Sequence, residues 1–212
     1  MNNQKNIKLW NKFYLKINKL FIPEYPDKCV QDFCKYDLNQ KKINKILDIG
    51  CGSGSNLLYL RKKGFDVYGI DSSSEAIKLL NNKDKSLKKK LFNTSFTQLP
   101  FKNNYFEAAI SIGVFYYENM DGIKKGIEEM HRVLKKNGIA RIYLVSNKDK
   151  KYTRNFKEVK RGWEKNMKLN FLYPGEIKKL FQKFKKIVIG EERFNYMSND
   201  DFNSYWVVTV KK

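Results

Sequence analysis

Histidine and cysteine are almost missing from this chain. One histidine, His131, and three cysteines, Cys29, Cys34 and Cys51, are all that its 212 residues provide. The cysteines are odd in number, lack a C-x-x-C pair and show no metal-ligand spacing. That excludes a disulfide framework and suits a reducing, cytoplasmic setting with no bound metal. His131 stands in a helical run before Arg132 and Val133, a structural position. Long apolar runs are absent as well. None approaches the roughly 20 residues that cross a bilayer, so no membrane span is expected. Polar residues interrupt the basic opening, 1–21, which therefore lacks the apolar core of a secretory signal. With only 4 prolines and no Pro- or Gly-rich linker, nothing divides the chain. Its length suits one α/β domain over residues 1–212.

Acidic residues and arginine are also sparse. Lys and Arg number 43 against 22 Asp and Glu, which gives a formal net charge of +21. The excess is lysine: 37 Lys, 6 Arg, together with 22 Asn. Lysine and asparagine share A-rich codons, and arginine, the better bidentate phosphate reader, is the scarce one. An AT-rich coding sequence thus accounts for the composition without nucleic-acid binding, although the field still attracts anions.

Short β-branched runs alternate with longer helical periods, the pattern of βαβ units. Strands are expected at 45–50, 66–71, 90–95, 106–115, 139–146, 186–193 and 204–210. Helices are expected at 55–64, 73–82, 122–138 and 174–184, the third with Ile123, Ile127, Met130 and Leu134 on one face and a stop at Asn137 and Gly138. Residues 147–172 read as a polar insertion, and 1–40 as an N-terminal helical cap.

Three glycines, Gly50, Gly52 and Gly54, crowd the junction between the first strand and its helix in "ILDIGCGSG". In an open α/β sheet that junction lies at the carboxyl edge, where ligands bind. Glycine there permits positive φ and close backbone approach, and the following helix offers its N–H groups to a ligand. The spacing is G-x-G-x-G. A dinucleotide fingerprint would need glycine at Ser55. Asp48 precedes the turn, and Asp71 ends the next strand, where a carboxylate can accept from both hydroxyls of a ribose.

With these features the chain resembles the class I S-adenosylmethionine-dependent methyltransferases. "ILDIGCGSG" is similar to the family's first motif and "VYGID" to its second. "LPFKNNYFEAAISIGVFYY" and "EEMHRVLKKNGIARIYL" are similar to the segments from the adenine pocket onward, so the likeness covers roughly residues 40–146. The resemblance implies a Rossmann-like, doubly wound sheet of seven strands, mostly parallel with an antiparallel last strand and helices on both faces. It implies S-adenosyl-L-methionine as cofactor and S-adenosyl-L-homocysteine as product. By the same likeness Asp48, Gly50, Cys51, Gly52, Ser53 and Gly54 hold the methionine part, Asp71 and Ser72 the ribose. Ser95 and Phe96 flank the adenine, and Ser111 joins the set. A serine stands at 95 where an acid is common, and Phe96 suits a core equally well.

A sulfonium is already activated, so positioning alone supplies much of the acceleration. A hydroxyl acceptor would still need a base, for which Tyr14, Tyr116, Tyr117 and Glu118 are the candidates. Methyltransferases acting on adenine or glutamine amino groups commonly carry an Asn/Asp-Pro-Pro-aromatic segment after the fourth strand, whereas this chain has "SIGVFY". Between 147 and 168 stand nine basic residues against three acidic ones. The expected acceptor is a small molecule, a nucleotide-linked or otherwise anionic sugar. The alternatives are an RNA or tRNA methyltransferase using the basic surface, or a cofactor-binding module without turnover.

Overall fold

A computed structural model describes residues 4–17, 25–39, 43–150, 157–159, 164–195 and 202–212. Strand β1 (Lys45–Ile49) is followed by β2 (Asp66–Asp71), β3 (Leu91–Asn93), β4 (Phe106–Ile112), β5 (Leu134–Val145), β8 (Lys186–Asn195) and β9 (Phe202–Lys211), all in one sheet, with a separate hairpin of β6 (Lys157–Glu158) and β7 (Lys168–Leu169). The seven strands lie in the order β3-β2-β1-β4-β5-β9-β8. β1 pairs in parallel with both β2 and β4, and β9 runs antiparallel to both its neighbours. Only the last strand is reversed, as expected.

Burial explains why β1 is central. Ile46, Leu47, Asp48 and Ile49 are all buried, so both faces of the strand are covered. Leu47 and Ile49 pack with Ala109, Ile142 and Met130 under helix α5 (Met120–Val133). Ile46 and Ile110 pack on the other face with Leu57 of helix α3 (Ser55–Lys62) and Leu80 of helix α4 (Ser74–Lys83). Asn119 caps α5 by accepting from the Gly122 amide at 2.9 Å.

The helix expected over 122–138 stops at Val133. Leu134 leaves it to pair with Phe106, and the register then shifts so that Ala108 meets Ile139. Asn137 absorbs the detour at φ 65°, and Gly138 accepts from the Lys212 amide at 2.9 Å. Sheet pairing overrides the helical period there, and Leu134 is fully buried in the strand. Helix α6 (Pro174–Leu180) is likewise shorter than 174–184.

The expected N-terminal cap contains helix α1 (Gln4–Ile17), helix α2 (Lys28–Phe33) and a π-turn at Cys34–Leu38. Residues 1–3, 18–24 and 40 of the cap, and 151–156 and 160–163 of the insertion, lie outside the described residues. The insertion is more than a polar loop. Its β6–β7 hairpin buries Val159, Met167, Leu169 and Phe171 against Tyr116 and Tyr117. Among the described residues no helix is long and apolar enough to cross a membrane.

Candidate active site

β1 connects towards β2 on one side while β4 lies on its other side, so the sheet's direction of winding reverses between β1 and β4. A crevice must open there at the carboxyl ends of the strands. The protein has a cavity of about 670 Å³ at this place. Its floor is the glycine turn, with Gly50, Gly52 and Gly54 at φ 75°, 52° and 92°. A side chain at Gly54 would collide with Leu80, and one at Gly52 would collide with the Tyr14 hydroxyl. Leaving side chains out lets α4 and α1 close on the turn while its main chain faces the cavity.

Asp71 is built into the turn itself. One carboxylate oxygen accepts from the Gly52 amide at 2.9 Å, the other from the Ser73 amide at 2.8 Å. Each oxygen keeps a lone pair for a further donor from the cavity. Burial pushes Asp71 up to about 6, and the two amides act in the opposite sense. Asp48, behind the turn, is 2% exposed and its Oδ2 has no partner among the described residues. Burial, then the charges of Asp71 and Asp27, push its carboxyl well above the ordinary range. Cys51 is raised too, chiefly by burial, so it stays a thiol and offers no nucleophile.

Helix α1 roofs the cavity through three asparagine and aromatic contacts. Asn6, 1% exposed, donates from Nδ2 to the carbonyls of Tyr117 and Lys168, both at 2.9 Å, and its Oδ1 accepts from the Lys168 amide at 3.1 Å. Asn11 accepts from the Ser73 hydroxyl at 2.6 Å. Trp10 stacks on Tyr14 and meets Tyr117 edge-on at 5.3 Å. Tyr117 donates to buried Glu164 at 2.6 Å. At the α2 end, Asp27 and Asn56 exchange hydrogen bonds of 2.9 and 2.8 Å.

The structure thus gathers Gly50, Cys51, Gly52, Ser53, Asp71, Ser72, Ser95 and Phe96 on one wall, together with Tyr14, Tyr116, Tyr117 and Glu118. Gly54, Asp48 and Ser111 lie behind it. Ser111 is fully buried on the α5 side of the sheet, the face carried by Ala109. Ser95 spends its hydroxyl on Thr97, at 2.9 Å, and Phe96 divides itself between the cavity and an edge-on contact with Phe115 at 4.8 Å. Tyr14, Tyr116 and Tyr117 are pushed well above 10, first by burial and then by nearby acids or phenols, so they remain neutral donors. Asn6, Asn11, Asp27 and Glu164 carried no sequence signal, since nothing local marks a residue that bonds to a partner 29 or more positions away.

Residues 47–142, which include the turn, Asp71 and β4, match the family model described as "Methyltransferase domain". The segment is a methyltransferase domain. An uncharacterized protein of Methanocaldococcus jannaschii is 34% identical over 167 residues, 69% of this chain and 63% of its own length. The chain therefore spans less than two thirds of that relative. Demethylmenaquinone methyltransferase of Staphylococcus aureus is 33% identical over 107 residues, 49% of this chain and 44% of its own. The fold of the methyltransferase domain and its flanks is also that of Burkholderia thailandensis 1,6-didemethyltoxoflavin-N1-methyltransferase, at TM-score 0.69 and 13% identity, covering 100% of this chain and 91% of the other.

The cavity fits the S-adenosylmethionine this class uses. The cofactor carries a sulfonium, an ammonium and a ribose, and the Asp71 carboxylate on the cavity lining is the acceptor a ribose diol requires, with Asp27 and Glu118 on the same lining for positive charge. A pyrophosphate would instead meet the Asp71 and Asp27 carboxylates of the lining with like charge. Among the described residues no group of three or more side chains could hold a metal.

Proposed function

We propose that this protein transfers a methyl group from S-adenosylmethionine to a small-molecule acceptor. The observation that carries the reading is Asp71, a half-buried carboxylate at the end of β2 that lines the cavity, one oxygen pinning the glycine turn at Gly52 and the other accepting from the Ser73 amide. When bound, the cofactor supplies an activated methyl on sulfur. Asp71 accepts from the ribose hydroxyls, Asp48 supports the turn from behind with a carboxyl that burial raises, and Phe96 packs beside the adenine. α1, with Trp10 and Tyr14, shuts water away from the crevice. S-adenosylhomocysteine occupies the solved Burkholderia enzyme of the same fold, which supports this use of the crevice.

Titration calorimetry with S-adenosylhomocysteine tests the reading. Binding is expected, and Asp71→Ala is expected to weaken it by about 1.5 to 3 kcal/mol, the value of a hydrogen bond to a charged group. Absence of binding refutes the assignment. A methyl-transfer screen on the same protein then separates an enzyme from a binding module, because cofactor bound but never consumed would leave only the module. The finer reading of an anionic sugar acceptor draws on the +21 field and the basic run at 147–168. The charges on the described cavity wall run the other way. Three free, buried thiols support a reducing, cytoplasmic setting.

A further inference from the structure

The wall of the cavity is charged opposite to the molecule. Lys28 is the only cation among its described residues, and its Nζ lies 2.6 Å from Asp32. Asp27, Asp71 and Glu118 stand on the same wall. The lining also carries a run of aromatic rings. Rings follow one another from Trp10 to Tyr117 at 5.3 Å, on to Tyr116 at 4.6 Å, to Tyr205 at 6.5 Å and to Phe194 at 6.2 Å. Ring faces are electron-rich and attract a cation brought within about 6 Å of their centres. Acids and ring faces together favour a ligand that is positive, or becomes so, and disfavour phosphate and carboxylate.

Resting on the methyl-transfer reading, we propose that the acceptor is the nitrogen of a small ring-bearing amine, held against Trp10, Tyr116, Tyr117 and Tyr205. The amine, an ammonium near neutral pH, first gives one N–H proton to water, and the free-base nitrogen then uses its lone pair to form the new N–C bond while the C–S bond breaks. The electron pair of that bond stays on sulfur, which leaves as an uncharged thioether. The positive charge passes to nitrogen, and the methylated ammonium then gives its N–H proton to water. Bond formation needs no base, which agrees with phenols that burial keeps neutral. The charge that arrives on nitrogen is left over the rings.

The test uses protein first shown by calorimetry to bind S-adenosylhomocysteine; if it does not, the methyl-transfer reading fails on its own account. On the saturated protein, ligand-observed NMR compares phenethylamine, 2-phenylethanol, 3-phenylpropionate and UDP-glucose. The amine is expected to bind about tenfold more tightly than the acid, with UDP-glucose the weakest. Tyr205→Leu is expected to remove most of that preference while S-adenosylhomocysteine still binds. Equal or tighter binding of 3-phenylpropionate or UDP-glucose overturns the proposal, as does a failure of every probe to bind or a Tyr205→Leu variant with an unchanged preference.

Discussion

At the scale of single residues, Asp71 governs how the site responds to pH. Its carboxyl is raised to about 6 by burial, so the ionised form that ribose hydroxyls require fills as pH rises through that value. Affinity for S-adenosylhomocysteine is accordingly expected to increase between about pH 5 and pH 7, and Asp71→Asn to flatten the profile. The effect on the ligand-free fold has the opposite sign. A raised carboxyl favours folding where it is protonated and loses that contribution as pH climbs past about 6. Melting curves should therefore show Asp71→Asn gaining on the parent protein as pH rises. Gly54→Ala asks for a left-handed backbone at φ 92° and drives a methyl into Leu80, so denaturant titration should find a loss of about 1 to 3 kcal/mol. Both residues were legible in the sequence, because a positive φ and a carboxylate at a strand end are local demands that only a few residue types meet. Asn6 was not, since nothing distinguishes it from the 22 asparagines except where its amide ends up. Ser111 misled for a related reason: the strand was read correctly, but alternation turned that side chain to the other face.

At the scale of elements, α1 is secured by side chains that have no counterpart in its amphipathic pattern. Asn6→Ala leaves the carbonyls of Tyr117 and Lys168 and the Lys168 amide without their partner, at a cost of about 1 to 3 kcal/mol for each buried group left unsatisfied. Hydrogen exchange should then speed up across α1 and the loop at 115–118 while β1 and β4 keep their protection. Equal protection in both would mean that the roof is fastened elsewhere. The central strands and the helices on either side of the sheet were readable because two-sided burial leaves nearly continuous apolar runs. The ends of elements were harder. Leu134 fits helix and sheet alike, and β6 and β7, at two residues each, are too short to show an alternating pattern.

At the scale of the whole molecule, the charge is +21 while the described wall of the cavity carries more acids than cations. The separation gives the two fields different tasks. Binding of bulk RNA to the outer surface should fall steeply between about 50 and 200 mM salt through counterion release. S-adenosylhomocysteine, a zwitterion of zero net charge, should change little in affinity over that range, and RNA should not displace it. Strong RNA binding that survives high salt, with methyl transfer to the RNA, would instead return the positive surface to the reaction.

β9 is the last of the seven strands in chain order, yet it lies between β5 and β8 and carries Tyr205 of the aromatic wall. During synthesis the glycine turn and Asp71 can therefore be in place on the nascent chain while one flank of the crevice is still unbuilt. Until β9 clears the ribosome, β5 keeps a naked hydrogen-bonding edge, whose long-range pairing is slow to form and open to association. A growing chain could thus acquire its cofactor pocket before it acquires a complete bed for the acceptor.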